Sequence, residues 1–233
     1  MELTYVVNSN FRFFEKSTSK LFESLDKTGY NWHDKFVVIV GESPFEDIKI
    51  INGVKHCFVQ YGGIDFTAAI YISENQTEFK DHVFYMHDTV YVGPDFFNLV
   101  NKDLTDVLYK RIRLRWGMNM GVFKTMLFKR YSIILKSLKF NDLSKETRLY
   151  YKALGAKYED IICNLVDYDP DYSEIFCRDN IYQYNYDETY HQVNVDFYGE
   201  GVPRNIVYIP EIDFYKVKAN IGFKLTNEWE LKL

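Results

Sequence analysis

The stretch that decides the fold is Val83-Phe84-Tyr85-Met86-His87-Asp88-Thr89-Val90-Tyr91-Val92-Gly93-Pro94-Asp95-Phe96. Residues 83–85 are an apolar run, which is typical of a buried strand. The run gives way to three polar residues, 87–89, where a parallel strand would leave its sheet. A second short apolar run, 90–92, follows and is closed by the turn pair Gly93-Pro94.

His87 and Asp88 are therefore candidates for a ligand site. In open α/β sheets, ligands bind just beyond the carboxyl ends of the strands. A carboxylate and an imidazole at that place suit a divalent cation or a phosphate-bearing ligand. On spacing alone, a turn Asp beside a hydrogen-bonded His explains the pair equally well.

The composition indicates an ordinary globular chain without a nucleic-acid partner. A length of 233 residues with 47% hydrophobic content is enough for one domain with a full core. A net charge of −5 argues against a general binder of phosphate backbones. Cys57, Cys163 and Cys177 lack metal-ligand spacing and fit the reduced thiols of a cytoplasmic protein. We expect neither a signal peptide nor a transmembrane segment.

The first hundred residues alternate between strand and helix patterns. The predicted elements are a strand at 3–7, a helix at 14–25, strands at 35–40 and 56–61, a helix at 65–72 with Asp65 as N-cap, and the strands at 83–85 and 90–92. This alternation predicts an α/β fold with a mostly parallel central sheet flanked by helices.

The pattern is looser after residue 95. The predicted elements are a helix at 103–113, a glycine-bearing loop at 116–121, a strand at 122–124, helices at 129–140 and 143–154 (ended by Gly155), a helix opening at 161, an ordered tyrosine-rich excursion at 167–188 and a strand at 191–198.

The order of these polar features resembles a compact GT-A glycosyltransferase over residues 3–198. Five features carry the resemblance. They are the strand and helix at 5–25, Met86-His87-Asp88 at the place of the DXD metal motif, the loop 116–121, Tyr158-Glu159-Asp160 at the place of the xED motif, and His191 at the place of a C-terminal metal-binding His.

The resemblance implies a single-domain GT-A (Rossmann-like) fold over residues 1–233. It implies a nucleotide-binding half at 1–100 and an acceptor half at 101–233. The implied activity is that of an inverting, metal-dependent hexosyl- or pentosyltransferase in the cytoplasm. Such an enzyme moves a sugar from a UDP- or GDP-type donor to a glycan or another hydroxyl acceptor.

The resemblance also implies roles for particular residues. Asp160, with Glu159 as second choice, would be the general base, although two acids in a first helical turn also simply favour the helix dipole. Asp88 and His191 would hold Mn²⁺ or Mg²⁺. The donor contacts would be Val7, Asn8, Glu42, Asp65, Met86, His87, Gly117 and Asn119. These side chains are expected to meet at one rim of the sheet.

One departure from the family pattern leaves other functions open. Met86 replaces the first acid of DXD, so Asp88 is the only carboxylate there and a metal-independent enzyme is an alternative. A non-catalytic carbohydrate-binding or interaction module on the same fold is a second alternative. A sugar nucleotidyltransferase is disfavoured, because Asn8-Ser9-Asn10-Phe11-Arg12 after the first strand contains no glycine.

Overall fold

The computed structural model describes residues 2–102, 108–112, 120–158, 161–163, 181–184, 193–195 and 204–218. For residues 181–184, 193–195, 204–207 and 218 only the backbone is described. The chain forms two compact units built from interleaved segments. The first unit comprises Met1–Arg12, Asn31–His87 and Leu104–Asn185, and the second comprises Phe13–Tyr30, Asp88–Asp103 and Tyr186–Leu233. The single-domain assignment, with halves meeting at residue 100, stays a prediction.

Strands and helices alternate along the described residues. The strands are β1 (Leu3–Asn10), β2 (Phe36–Gly41), β3 (Asp47–Ile51), β4 (Val54–Phe58), β5 (His82–His87), β6 (Val90–Val92), β7 (Tyr109–Ile112), β8 (Gly121–Lys124), β9 (Ile181–Tyr184), β10 (Val193–Val195), β11 (Arg204–Ile209) and β12 (Phe214–Lys218). The helices are α1 (Phe14–Asp26), α2 (Thr67–Glu74), α3 (Phe96–Lys102), α4 (Thr125–Arg130), α5 (Ser132–Ser137) and α6 (Lys145–Lys157).

The first unit is organised on one sheet with the order β3-β4-β2-β1-β5-β8-β7-β9. The strands β4, β2, β1, β5, β7 and β9 run in one direction, and β3 and β8 run in the other. The predicted α/β class with a mostly parallel sheet is therefore confirmed. The register places Asn8 of β1 between Ile39 of β2 and His87 of β5.

Helices cover this sheet because its strands are apolar on both faces, as parallel strands usually are. The helix α2 packs against α4, α5, β1 and β2. Their shared core includes Val6, Ile39, Ile70, Tyr85 and Phe128, all almost fully buried. Each such side chain contributes about 1.5–3 kcal/mol through removal from water.

The second unit contains an antiparallel sheet with the order β10-β11-β12-β6. The predicted strand at 90–92 is confirmed as β6, and it pairs with β12. Tyr208, Tyr215 and Tyr91 stand opposite one another on three neighbouring strands. Their rings stack at centroid distances of 4.3 Å (Tyr91 to Tyr215) and 4.4 Å (Tyr215 to Tyr208). Cross-strand aromatic pairs of this kind stabilise a small sheet.

The loop after β6 is fixed by Asp213, which has a left-handed backbone (φ 49°). The carboxylate of Asp213 accepts hydrogen bonds from Asp95 N at 3.1 Å and from the Tyr208 hydroxyl at 3.1 Å. Gly93 lies so close that a Cβ on it would fall 1.9 Å from Asp213 Oδ2. Only glycine fits at position 93 without moving this carboxylate.

Three predictions about helices were wrong. The predicted helix at 103–113 is contradicted by β7, whose backbone pairs with β8 and β9, and tertiary pairing overrides helix propensity there. Asp65 is not the N-cap of α2, because a 3₁₀ turn at Ile64–Phe66 precedes the helix. Gly155 does not end α6 but lies inside it, and a Cβ there would meet the Phe66 ring at an ordinary contact distance of 3.8 Å.

The strand β3 was not predicted. Its side chains are largely exposed, with Ile48 56% and Ile50 68% exposed, so it lacks a buried pattern. The hairpin to β4 turns at Asn52 and Gly53, both with positive φ (51° and 80°). An Asn-Gly pair is the typical turn of a two-residue hairpin, and it was the available sequence signal.

None of the helices in the described ranges is long and apolar enough to cross a membrane.

Candidate functional site

The candidate site lies in the first unit at the carboxyl ends of β1, β2 and β5. The chain passes from β1 to β2 on one side of β1, whereas β5 pairs with β1 on the other side. This makes the β1–β5 boundary a topological switch point, the place where open α/β sheets bind ligands.

Asn8 is the residue that organises this edge. Its side chain is buried, and its amide nitrogen donates to the Ile64 carbonyl oxygen at 3.0 Å. Its amide oxygen accepts from Ala68 N at 2.8 Å. The second bond satisfies one of the unpaired N–H groups at the start of α2, so Asn8 of β1 caps a helix that begins 59 residues later, at Thr67 (67 − 8 = 59).

Tyr85 of β5 holds the same segment from the neighbouring strand. Its hydroxyl donates to the Asp65 carbonyl oxygen at 2.6 Å, and its oxygen lies 3.3 Å from Asn8 Oδ1. Burial raises the pKa of Tyr85 well above its ordinary value. The hydroxyl is therefore protonated near neutral pH and acts as a hydrogen-bond donor.

The segment held by Asn8 and Tyr85 is the turn Gly62-Gly63-Ile64-Asp65. Gly62 is pressed against Phe140, since a Cβ at Gly62 would lie 2.3 Å from the Phe140 ring, and a Cβ at Gly63 would lie 2.9 Å from Thr67 N. Ile64 has φ 52°. A positive φ is rare and costly for a β-branched residue, of order 1–3 kcal/mol, and such strain concentrates at functional sites.

Asp65 and His87 present polar atoms at this turn. The Asp65 side chain is 48% exposed, and its Oδ1 lies 3.9 Å from Nδ1 of His87, whose side chain is 12% exposed. A half-exposed carboxylate can accept hydrogen bonds from ligand hydroxyls. An imidazole beside it can donate to, or accept from, the same ligand.

Three of the solved structures similar to this chain are glycosyltransferases. One is a glycosyltransferase involved in the glycosylation of the major capsid of PBCV-1, at 14% identity over 78% of this chain and 82% of that chain, with a TM-score of 0.39. Two are of the glycosyltransferase GlyE in Streptococcus pneumoniae TIGR4, each at 15% identity over 78% of this chain and 45% of that chain, with TM-scores of 0.38 for the apo form and 0.39 for the other.

No protein-family model and no curated protein matches the sequence. The fold class itself rests on the order and direction of this chain's own strands.

Glu42, directly after β2, joins the same edge. Its φ is 56°, and its side chain is only 7% exposed. Its Oε2 accepts from Nε of Arg148 on α6 at 2.8 Å. A Cβ on Gly62 would lie 3.0 Å from Glu42 Cγ, so Glu42 packs against the turn that carries Asp65. The structure thus brings four predicted donor residues together around one turn: Asn8, Glu42, Asp65 and His87.

An aromatic cluster that was not predicted from the sequence lies beside this edge. Phe11 follows β1 directly, and its N donates to Gly41 O at 2.8 Å. The Phe11 ring packs edge-on against Phe45 at 5.7 Å and against Phe58 at 6.2 Å. Phe45 is 36% exposed. Nothing in the residue pattern distinguishes these rings from ordinary core, because they meet only after the strands pair.

The side chains of Val7 and Met86 belong to the core beneath the site. Both are fully buried, and they stand opposite each other on β1 and β5. The predicted residues Gly117, Asn119, Glu159, Asp160 and His191 lie outside the described residues.

Asp88 belongs to the second unit, and its Oδ2 accepts from the Ser17 hydroxyl of α1 at 2.6 Å. The residues that the structure describes include no group of three or more His, Cys, Asp or Glu side chains able to hold a metal ion.

We expect Asn8→Asp to destabilise the fold by about 1–3 kcal/mol, because the Ile64 carbonyl then loses its donor and faces a carboxylate oxygen at the buried position 8. Asn101→Asp is the matched control, since Asn101 makes the same kind of bond, to Phe97 O at 2.7 Å, on an exposed site. The control substitution should lower the free energy of unfolding by no more than about 1 kcal/mol. Urea unfolding measures both, and equal losses would contradict the role given to Asn8.

Proposed function

We propose that this chain is a glycosyltransferase that moves a sugar from a nucleotide-diphosphate donor to a hydroxyl acceptor. The observation that carries the proposal is the gathering of Asn8, Glu42, Asp65 and His87 around the strained turn 62–65 at the switch point of the sheet. The resemblance of the sequence to GT-A enzymes supports sugar transfer as the reaction carried out there.

The donor nucleotide, of UDP or GDP type, has chemistry that suits this edge. Its ribose hydroxyls are donors, which the half-exposed Asp65 carboxylate accepts. Its base is a flat ring, which the partly exposed Phe11–Phe45 pair can stack against. Asn8 supports donor binding indirectly, by holding the turn 62–65. Its amide nitrogen and oxygen are already hydrogen-bonded to Ile64 O and Ala68 N.

The acceptor hydroxyl must lose a proton as it attacks the anomeric carbon. We assign the general base to Asp160, with Glu159 as second choice. A single displacement assisted by one base inverts the anomeric configuration. Such a base accelerates the reaction by about 10²–10⁴-fold.

The proposal includes a divalent cation held by Asp88 and His191. When bound, such an ion neutralises negative charge on a diphosphate leaving group. The imidazole of His191 favours manganese over magnesium. The Ser17 hydroxyl, hydrogen-bonded to Asp88, orients the carboxylate.

We also propose that the reaction takes place in the cytoplasm, in keeping with the buried Cys57 and Cys163, which are not joined in a disulfide. The same proposal includes a hexose or a pentose as the transferred sugar and a glycan or another hydroxyl compound as the acceptor.

A nucleoside diphosphate should raise the thermal stability of the protein, by about 2.7 kcal/mol at 100 times its Kd. Asp65→Asn should weaken that binding about tenfold or more, since a hydrogen bond to a charged group is lost. Asp47→Asn is the matched control, because the Asp47 side chain is also 48% exposed and lies on the edge strand β3. Isothermal titration measures both. No binding of any nucleotide would favour the non-catalytic carbohydrate module.

Asp160→Asn should lower kcat by about 10²–10⁴-fold while nucleotide binding is kept. Glu159→Gln tests the second choice, and it should change kcat far less if Asp160 is the base. The reverse result would assign the base to Glu159. NMR of the first product formed gives the anomeric configuration. A product of retained configuration would exclude Asp160 as the base of a direct displacement.

Asp88→Asn should weaken binding of Mn²⁺ at least about tenfold, because a carboxylate ligand is replaced by a neutral amide. Electron paramagnetic resonance of free Mn²⁺ reports this without any assay of transfer. The exposed Asp34 provides the control variant Asp34→Asn. Undiminished binding in Asp88→Asn would remove Asp88 from the proposed metal site.

A further inference from the structure

The segment formed by α4 and α5 has one face in the core. The helical hydrogen bonds continue across Tyr131, because Tyr131 N donates to Leu127 O at 3.0 Å and Leu135 N donates to Tyr131 O at 3.0 Å. Residues 125–137 therefore act as one bent helical rod. Leu127, Tyr131 and Leu135 are buried in the core of the first unit.

The opposite face of this rod exposes large apolar side chains. Ile133 is 84% exposed, the highest value of any large hydrophobic side chain that the structure describes. Met126, seven positions earlier and on the same side, is 39% exposed. Single exposed apolar residues are common, but two of them at this spacing on one rod form a stripe.

The apolar stripe is interleaved with basic residues. Lys129, Arg130 and Lys136 are exposed on the same side as Met126 and Ile133, at spacings of three and four residues. The sequence 125–139 has four Lys or Arg and no Asp or Glu, in a chain whose net charge is −5. We call Met126, Lys129, Arg130, Ile133 and Lys136 the basic–apolar face.

One acidic residue reaches this region from α2. Glu74 lies 3.4 Å from the Lys139 ammonium and 3.9 Å from that of Lys136. The Lys139 ammonium also lies over the Tyr61 ring at 3.9 Å. Glu74 is thus shared, with the shorter distance to Lys139, and it offsets only part of the positive charge. The rod itself, residues 125–137, contains no Asp or Glu that could offset the charge of Lys129.

We propose that the basic–apolar face docks on the surface of an anionic phospholipid bilayer. Such a surface offers negative head groups to Lys129, Arg130 and Lys136, and an apolar layer just beneath them to Met126 and Ile133. A nucleic acid or an acidic protein also offers negative charge, but neither offers a continuous apolar layer. The docking is independent of the proposed glycosyl transfer, which this surface neither requires nor excludes.

Flotation with lipid vesicles tests the docking on the full chain. The wild type should float with vesicles of equal parts phosphatidylcholine and phosphatidylglycerol, and not with phosphatidylcholine alone. Ile133→Asp should lower the partition coefficient at least about tenfold, through loss of apolar insertion. Lys129→Gln with Lys136→Gln should lower it roughly thirty-fold, and added salt should weaken the binding of the wild type.

Ile50→Asp is the matched control, because Ile50 is 68% exposed and lies on β3, away from the rod. It should float like the wild type, and thermal melting should show that all variants fold. The proposal is overturned if the wild type does not bind anionic vesicles or if Ile133→Asp binds them as well as the wild type does. It is also overturned if Ile50→Asp lowers vesicle binding as much as Ile133→Asp does. It is equally overturned if the face instead binds duplex DNA or joins two copies of the chain in solution.

Discussion

The first unit depends on one buried amide. Asn8 sits in the central strand of the sheet, where an apolar side chain would be the usual choice, and a buried amide is tolerated only when its hydrogen bonds are made. Its nitrogen and oxygen are taken by Ile64 O and Ala68 N. Through those bonds the strand fixes both the turn at 62–65 and the start of α2. The positions of Asp65 and the neighbouring Tyr85 hydroxyl follow from the same arrangement.

The other polar residues of the edge are also bound into the fold before any ligand arrives. Glu42 is nearly buried but paired with Arg148, and a buried carboxylate without a partner would be strongly destabilising. His87 ends β5 beside Asp65. A site held by strands and by a helix start is more rigid than one held by loops alone, so its geometry is set in advance of binding.

Much of this could be predicted from local pattern. The continuous apolar runs at 35–40 and 83–85 predicted buried parallel strands, and the rule that ligands sit beyond strand ends predicted a site at His87. Asn8, Glu42 and Asp65 were implied only by the resemblance to GT-A enzymes. Their partners could not be predicted, since Arg148 is 106 residues from Glu42 and the capping of α2 by Asn8 spans 60 residues to Ala68. The strand β7 was wrongly predicted as a helix for a related reason. Its conformation is decided by pairing with β8 and β9 and not by its own residues.

The backbone of Ile64 has an evolutionary consequence. Its left-handed conformation stores free energy that a glycine would release, because glycine adopts positive φ without steric cost. A lineage selected for robustness alone would drift toward glycine at this position, and would gain a looser turn together with a more durable protein. Retention of a branched residue there would indicate selection for a turn of one fixed shape, at the expense of stability.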